Sequence, residues 1–386
     1  MDDLKLFDEE RKAESTLRRY SQPIFSFLNS ASGSDIAELR SVFENWYSHY
    51  PFDAKREFRA NFRSGIDTQH SAAFFELLLH EMLINQGFEV EIHPAINNIA
   101  RSPDFRVHNE NETLFYLEAT SVTFKSKSAE AAQARQNELF DGLDRLIDSP
   151  NSWVHVDIEG SPKSPPSARK IAKQINKILR TLDPDEFITT TELKHIGKFP
   201  THIFEVEGYR LLFEFTPKSL NARGRDLDRP IGSFMEEGQT TDHRTPIVKT
   251  IAAKASSYGN LQYPYVVAVN VHEMIDELHV TEALLGSEKR IAKRSNLGKF
   301  RLETIGHYQN GVWNGAQTGR NAKISAVLVA RQLRPWNIAQ SKATIYHNPW
   351  PKTPFPSDLQ SLPHAMFNHG KWNHTEGSSF ASILNL

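Results

Sequence analysis

The chain has 386 residues, carries 45 Lys and Arg against 47 Asp and Glu, and contains no cysteine. The lack of cysteine excludes disulfides, thiolate zinc sites and cysteine nucleophiles, so any bound metal must be held by oxygen or imidazole ligands. Because the formal net charge is only −2, any contact with nucleic acid must come from a local basic patch.

The first residues, MDDLKLFDEERKAE, lack the apolar segment of a signal peptide. No window of the chain approaches 18 uncharged apolar residues, which is the length needed to span a bilayer. We therefore expect a cytoplasmic protein with no membrane partner. The sequence does not indicate an oligomeric state.

The N-terminal region is predicted to be helical up to about residue 65. The run IAELRSVFENWYSHY is typical of an amphipathic helix that is capped by Asp35 and ends before Pro51. The next helix, AAFFELLLHEMLINQ, has Ser71 as its expected N-cap and Gly87 as its stop. Its apolar positions cover most of its surface, so we expect it to be buried.

Three predicted strands follow this helix, namely FEVEIHP (88–94), PDFRVH (103–108) and TLFYLEATSV (113–122). The short polar turn 109–112 between the last two strands indicates a hairpin. A helix from about Ala129 to Ile147 comes next. The order helix, three strands, helix predicts an α/β fold.

The rest of the chain also alternates between strands and helices. In chain order the predicted elements are a strand WVHVDIEG, a basic helix ARKIAKQINKILRTL, a strand YRLLFEFTP, a helix TPIVKTIAAKASSYG and the apolar strands YPYVVAVNV and KISAVLVARQL. Residues 221–246 are rich in Gly, Arg, Asp and Thr and are predicted to form a long exposed loop. The Pro-rich tail after Trp336 is predicted to be a wrapping loop without a core of its own.

Three acidic residues lie where burial is expected. Glu76 is on the buried helix, Asp104 opens the second strand, and Glu118 lies inside the third. Buried carboxylates are costly unless they are paired, protonated or bound to a metal. Side chains alternate along a strand, so Glu118 and Thr120 share one face, and a hairpin would bring Asp104 to Glu118 at one end. Such oxygen ligands suit Mg²⁺, with Mn²⁺ as an alternative.

Each of these residues also has a purely structural interpretation. Pro-Asp is a common turn dipeptide, which would account for Asp104. Glu118 would instead form a salt bridge with Arg106, and Glu76 would form an i,i+4 contact with His80. Thr120 would then be an ordinary strand residue.

The order of these motifs resembles the PD-(D/E)XK nuclease superfamily, also called restriction-endonuclease-like. The motifs are a helix with a glutamate, then Ser102-Pro103-Asp104, then a strand ending Leu117-Glu118-Ala119-Thr120. The flanking phrases ELLLHEML, GFEVEIHP, SPDFRV and FYLEATSV extend the resemblance, which points to a bacterial branch of the superfamily. It covers roughly residues 70–150, and the segment 254–270 resembles the last core helix and strand.

The resemblance implies a function and a role for each residue of the motifs. Asp104 and Glu118 would bind the metal, the carbonyl of Ala119 would add a ligand, and Glu76 would reach the metal directly or through water. The implied activity is Mg²⁺-dependent hydrolysis of phosphodiester bonds by a metal-activated water. The expected partner is nucleic acid, with DNA favoured over RNA.

The chain departs from the family pattern at the position of the superfamily's lysine, which Thr120 occupies. A threonine hydroxyl is neutral and cannot supply the missing charge. Lys125, Lys127 and Lys254 are candidate replacements, of which Lys254 is favoured, while Gln133 would orient water without adding charge. The alternative is a degenerate nuclease fold that binds nucleic acid or a protein without cleaving it.

Two basic segments are candidates for contact with phosphates, and a solvated helix face is the competing interpretation of each. One precedes the Glu76 helix and the other lies in 287–301; together they contribute Arg56, Arg59, Arg63, Lys289, Arg290, Lys293 and Arg294. We predict three regions: a helical N-terminal extension (1–65), a nuclease-like core with inserted strands and a loop (66–275), and a C-terminal basic and Pro-rich decoration (276–386).

Overall fold

The computed structural model describes most of the chain. The described residues are 4–9, 17–96, 101–110, 112–186, 199–224, 229–236, 242–259, 261–294, 300–313, 319–356 and 361–386, with only the backbone given at 233–236, 293–294 and 300–305. Within them the helices are α1 Ile24–Ser30, α2 Ser34–Ser48, α3 Phe52–Phe62, α4 Asp67–Asn85, α5 Lys127–Leu146, α6 Ala168–Leu179, α7 Arg244–Ser257, α8 Glu277–Leu285 and α9 Phe380–Leu384.

The strands of the described residues alternate with these helices. They are β1 Glu89–Ile92, β2 Phe105–Asn109, β3 Glu112–Val122, β4 Ser152–Glu159, β5 Thr201–Val206, β6 Tyr209–Pro217, β7 Ile231–Glu236, β8 Tyr265–Val271, β9 Glu288–Arg294, β10 Phe300–His307, β11 Ala326–Arg331, β12 Ala343–His347, β13 His364–Asn368 and β14 Lys371–Thr375. The predicted mixed α/β class is therefore confirmed.

The chain forms two compact units. Unit 1 comprises Met1–Glu14, Pro23–Phe124 and Thr241–Leu386, and unit 2 comprises Ser15–Gln22 and Lys125–Thr240. Unit 2 is thus mainly an insertion between β3 and α7.

Unit 1 is built on a mixed sheet with the strand order β1-β2-β3-β8-β11-β12-β13-β14. Strands β1, β2 and β3 form an antiparallel meander, and β8 pairs in parallel with both β3 and β11. The residues of β8 are buried on both faces, as their uninterrupted apolar pattern predicts.

Helices cover both faces of this sheet. On one face, α1 to α4 pack with Leu117 and alternate residues of the central strands in an aromatic-rich core. On the other face, α7 and α8 pack with Tyr116, Val122 and the remaining face of β8. The alternation along β3 therefore directs Glu118 toward the α7 side of the sheet.

Unit 2 has a sheet of its own with the order β5-β6-β4-β7. Helices α5 and α6 pack on one face of it through an apolar core that includes Phe140, Ile171 and Phe213. Asp144 on α5 lies 3.2 Å from Arg229, and burial raises the pKa of this carboxyl to about 6.

The central elements match the predictions closely, and the differences at helix ends are local. The first strands and the β2–β3 hairpin are confirmed. Helix α4 begins at Asp67, so Ser71 lies inside it and is buried; Asp35 lies in the first turn of α2 rather than at its N-cap. Gly87 follows the end of α4 with φ +85°, a conformation that glycine adopts without strain.

Two loop predictions were wrong, and so was the solvated-helix alternative for the second basic segment. The segment 221–246 contains β7 and the start of α7, and the tail after Trp336 contains β12 to β14, with buried residues such as Ile345 and Ala365. The basic segment 287–301 contributes to the antiparallel hairpin β9–β10 instead of a helix. In each case tertiary pairing decides the structure of a polar segment whose composition is typical of a loop or a solvated helix.

The predicted region boundaries do not coincide with those of the two units. The N-terminal helices belong to the same unit as the central sheet, and unit 2 lies inside the predicted core. Residues 276–386, which we expected to be decoration, supply β11 to β14 of that sheet. Sequence order conceals this because β11 pairs with β8 across an intervening helix and hairpin.

Helices in the described part of the chain fall short of the length or the apolar character needed to cross a bilayer.

Candidate functional site

The β2–β3 hairpin brings Asp104 and Glu118 to one place. Phe105 pairs with Leu117 at the last step of the antiparallel register, and one further step places Asp104 opposite Glu118. Opposed residues of an antiparallel pair lie on the same face, with their Cβ atoms about 5 Å apart. The two acids therefore lie on the same face where β2 begins.

Asp104 is fixed at this position by the backbone of the neighbouring strand. Its Oδ2 accepts a hydrogen bond from the amide of Ala119 at 2.7 Å. Its Oδ1 lies 4.0 Å from Nε2 of His93, which follows β1. One carboxylate oxygen is thus held by β3, and for the other no hydrogen bond is found among the described residues.

Glu118 is almost fully buried, with 5% of its side chain exposed, and both of its oxygens accept hydrogen bonds. Lys254 donates from Nζ to Oε1 at 2.6 Å, and the Tyr258 hydroxyl lies 2.6 Å from Oε2. Lys254 is on α7, and Tyr258 directly follows its last residue. Helix α7 therefore supplies both partners of this carboxylate.

Tyr258 is itself tightly held. Its hydroxyl also lies 2.9 Å from the carbonyl of Ser102, and its own carbonyl accepts a hydrogen bond from Nζ of Lys323 at 2.6 Å. Its ring packs edge-on against Tyr265 of β8. Burial and the adjacent Glu118 raise the pKa of the Tyr258 hydroxyl, so it remains a proton donor at neutral pH.

Glu76 reaches the same region from α4, on the opposite face of the sheet. Its Oε1 accepts a hydrogen bond from the hydroxyl of Tyr50, which lies between α2 and α3. Burial raises the pKa of Glu76, and the charge of Glu118 raises it further. Glu76 is therefore electrostatically coupled to the hairpin acids.

The acids repel one another in a buried setting. Burial raises the pKa of Asp104 well above its ordinary value, and the charges of Glu118 and Glu76 add to this effect. The Ala119 amide and the Lys254 ammonium oppose it without cancelling it. The cluster has an electrostatic strain that a further cation would relieve.

The chemistry of these donors fits Mg²⁺ or Mn²⁺. Such an ion is typically held by one or two carboxylates together with waters and substrate phosphates. Asp104 and Glu118 supply two carboxylates, although Glu118 would have to release a present donor. Among the described residues, no cluster of three or more His, Cys, Asp or Glu side chains is placed to hold a metal.

The contacts exclude two of the purely structural interpretations. Arg106 pairs with Glu91 rather than with Glu118, and Glu76 contacts Tyr50 rather than His80. Thr120 lies on β3 opposite Val269 and is half-buried.

Lys254 is the candidate lysine that the structure brings to the acids. Lys125 instead donates to Gln133 within unit 2, and Lys127 begins α5 in the same unit. Lys254 sits on the helix that precedes β8, and β8 pairs in parallel with β3.

In the first basic patch, which consists of Arg56, Arg59 and Arg63, two of the three arginines are engaged by the N-terminal segment. Arg63 donates to the carbonyl of Leu6 and pairs with Asp8 at 2.8 Å, and Arg59 donates to the carbonyl of Lys5. These two arginines hold the N-terminal segment on α3. Arg56 is exposed.

The second basic patch is divided by its strand conformation. Adjacent residues of a strand point to opposite faces, so Lys289 and Arg290 do not form one surface. Arg290 pairs with Glu288 at 2.6 Å, and Lys289 lies over the ring of Tyr308. Lys293 and Arg294 lie on β9, but their side chains are outside the described residues.

Sequence reasoning missed the two tyrosines that donate to the acids. The spacing Lys254-x-x-x-Tyr258 is a signal for Tyr258, because residues four apart share a helix face. Tyr50 carries no such signal, since it reaches Glu76 only through the packing of α2 and α3 against α4.

The chain matches no family model, no curated protein and no solved structure. Any functional conclusion must therefore rest on the geometry and chemistry of the cluster.

Proposed function

We propose that this protein is a metal-dependent phosphodiester hydrolase of the restriction-endonuclease-like type, acting on nucleic acid. The element order α4, β1, β2, β3, α7, β8 supports the proposal, because an acid-bearing helix and hairpin are followed by a helix and a parallel strand. Unit 2 is inserted before α7. The proposed active site is Asp104 and Glu118, with Glu76 alongside.

One observation carries the proposal, namely the 2.6 Å contact between Lys254 Nζ and Glu118 Oε1. The resemblance implies a lysine two residues after this glutamate, and Thr120 leaves that position without a charge. An ammonium that comes from α7 instead of β3 restores a cation beside the same carboxylate. The departure at Thr120 is therefore compatible with catalysis.

Lys254 has a clear task in phosphodiester hydrolysis. The oxygen of water forms a bond to phosphorus as it loses a proton to solvent, the bond from phosphorus to the leaving ester oxygen breaks with its electron pair on that oxygen, and negative charge grows on the phosphoryl oxygens. An ammonium in a partly buried site stabilises such charge. Lys254 is suited to this because 31% of its side chain is exposed while its partner is buried.

The other residues prepare the site. Tyr258 contacts Oε2 of Glu118, the oxygen that Lys254 does not contact, and the amide of Ala119 donates to Asp104. A Mg²⁺ ion held by Asp104, Glu118 and the carbonyl of Ala119 would supply Lewis acidity and neutralise charge on the phosphate. Glu76 would contribute negative charge that favours the cation.

A second candidate function is binding of nucleic acid or a protein without cleavage. The observation that favours it is that both oxygens of Glu118 already accept hydrogen bonds. If those bonds persist in the presence of a divalent ion, Glu118 is a structural residue and the site is degenerate.

Cleavage assays on labelled DNA and RNA with Mg²⁺, Mn²⁺ or EDTA test the proposal. We expect cleavage that requires the metal and falls at least about a hundredfold in Asp104→Asn, since loss of even a supporting partner of a metal ligand costs 10- to 100-fold. Asp157→Asn, at an exposed carboxylate of unit 2, is the matched control and should cleave normally. Equal cleavage by wild type and Asp104→Asn would refute the proposal.

A further inference from the structure

Helix α6 of unit 2 presents an unusual charge pattern. The segment 161–182 contains six Lys or Arg residues and no Asp or Glu. Within the helix, Ile171, Ala172 and Ile175 are buried in the core of unit 2, whereas the basic side chains are exposed. The amphipathic pattern thus directs every cation of the helix to solvent.

Four of these cations line one groove. Lys170, Lys173, Lys177 and Arg180 recur at intervals of three and four residues, which places them along one stripe of the helix. Together with Gln174 and Thr181 they line a shallow groove of about 790 Å³. We call this set the α6 surface.

The cations of this surface have no acidic partners among the described residues, whereas other arginines of the same unit do. Arg210 pairs with Glu159, and Arg223 pairs with Asp185. No ion pair of the described chain includes a cation of the α6 surface. Repulsion between neighbouring like charges is therefore left uncompensated, which is typical of a surface that binds an anion.

We propose that the α6 surface binds the phosphodiester backbone of a nucleic-acid duplex. The ten residue steps from Lys170 to Arg180 span about 15 Å at 1.5 Å per step. Successive phosphates of one strand advance by about 3.4 Å along the duplex axis, so the stripe extends over about four base pairs. The side-chain amide of Gln174 adds a neutral hydrogen-bond donor, a group that commonly contacts phosphate oxygens.

A nucleic acid fits this surface better than a membrane does. A helix that binds in a bilayer interface inserts its apolar face between lipids. The apolar face of α6 is already buried against the sheet of unit 2, so only the charged face is available. The inference deepens the proposed function and rests on it for the identity of the polyanion.

Salt-dependent binding tests the inference, measured in EDTA by fluorescence anisotropy with a labelled 20-base-pair DNA duplex and the RNA duplex of the same sequence. We compare wild type with Lys173→Gln/Lys177→Gln. The control, Lys342→Gln/Lys371→Gln, removes the same charge at exposed positions of unit 1. All substituted side chains are exposed, so the variants should fold, as circular dichroism will check.

We expect the α6 double variant to bind at least about tenfold more weakly at 0.1 M salt. The slope of log K against log salt should also become shallower by about 2, one unit for each lost phosphate contact. The two duplexes distinguish DNA from RNA as the source of the phosphates. A variant that binds both duplexes like the control would overturn the inference. Binding to phosphatidylserine vesicles is measured in parallel. If the variant loses binding to these vesicles and not to either duplex, the inference is also overturned.

The cleavage assay separates this result from the proposed function. Reduced duplex binding by the α6 variant, in a protein that never cleaves, would support the inference and refute the nuclease. Metal-dependent cleavage, with duplex binding unaffected by the α6 substitutions, would support the nuclease and overturn the inference.

Discussion

The two units of this chain treat charge in opposite ways. In unit 1, Asp104 and Glu118 lie in a buried cluster, where burial, and then repulsion by Glu118 and Glu76, raises the pKa of Asp104. In unit 2, the cations of the α6 surface remain in solvent without acidic partners. Buried charges are screened little by salt, whereas exposed charges are screened strongly. The first arrangement is suited to holding a small cation, and the second to holding a polyanion.

The largest effect is expected at Lys254, and the comparison between the two units would fail if that effect were absent. Lys254→Met should lower kcat about 10²- to 10³-fold, because it removes the ammonium beside the developing charge. Lys254→Arg should recover part of the rate because it keeps the charge. The measurement is single-turnover cleavage of labelled DNA with saturating Mg²⁺.

Lys249→Met is the matched control, since Lys249 is an exposed residue of the same helix. It should retain the wild-type rate. If Lys254→Met also retains that rate, Lys254 serves only as a structural partner of Glu118, and the noncleaving interpretation of Thr120 gains support.

A smaller effect is expected at Tyr258. Tyr258→Phe removes the hydroxyl beside Glu118 Oε2 and the Ser102 carbonyl, so we expect a free energy of unfolding lower by about 1–3 kcal/mol. Activity should fall about tenfold, because Glu118 loses a fixed orientation. Urea unfolding and cleavage kinetics measure the two effects.

The control for Tyr258 is Tyr263→Phe, at a half-exposed ring that lies beyond the helix end. Unchanged stability in Tyr258→Phe would show that the hydroxyl is not holding the carboxylate. A gain in activity would show that it restrains Glu118 from binding the metal.

The smallest effect concerns the metal-free protein. The pKa of Asp104 is raised in the folded state, so its ionisation destabilises the fold, and the penalty grows as the pH rises above the ordinary value of 3.8. Asp104→Asn removes this carboxylate and should therefore raise the free energy of unfolding near pH 7.

Thermal unfolding in EDTA between pH 5 and pH 8 measures this effect. The gain should shrink as the pH falls, because the wild-type carboxyl becomes protonated in the fold. Asp157→Asn, at an exposed site, should show no such trend. A destabilised Asp104→Asn at pH 7 would mean that the carboxylate contributes more through the Ala119 amide than it loses by repulsion.

How far the sequence predicts this structure depends on the range of the interactions. The α4 helix, the β2–β3 hairpin and the apolar β8 follow from local periodicity, and with them the meeting of Asp104 and Glu118. The sequence also favoured Lys254, on the strength of the resemblance. The helix, the hairpin and the strand are local features, whereas the contact of Lys254 with Glu118 joins residues 136 positions apart.

Other features depend on pairing between distant segments. The donation from Tyr50 to Glu76 requires three helices to pack, and the role of residues 326–375 in the sheet requires β11 to pair with β8. The basic segment 287–301 has the composition of a solvated helix, but its residues 288–294 form strand β9, which pairs with β10. Composition and periodicity carry no signal for such pairing.

Binding of Mn²⁺ to the metal-free protein, measured by isothermal titration calorimetry without nucleic acid, tests the central claim most directly. We predict one ion per chain, bound more tightly as the pH rises because the carboxylates must be deprotonated, and loss of that site in Asp104→Asn but not in Asp157→Asn. Equal binding by wild type and Asp104→Asn, or no binding by wild type, would contradict the assignment of Asp104 and Glu118 as a metal site.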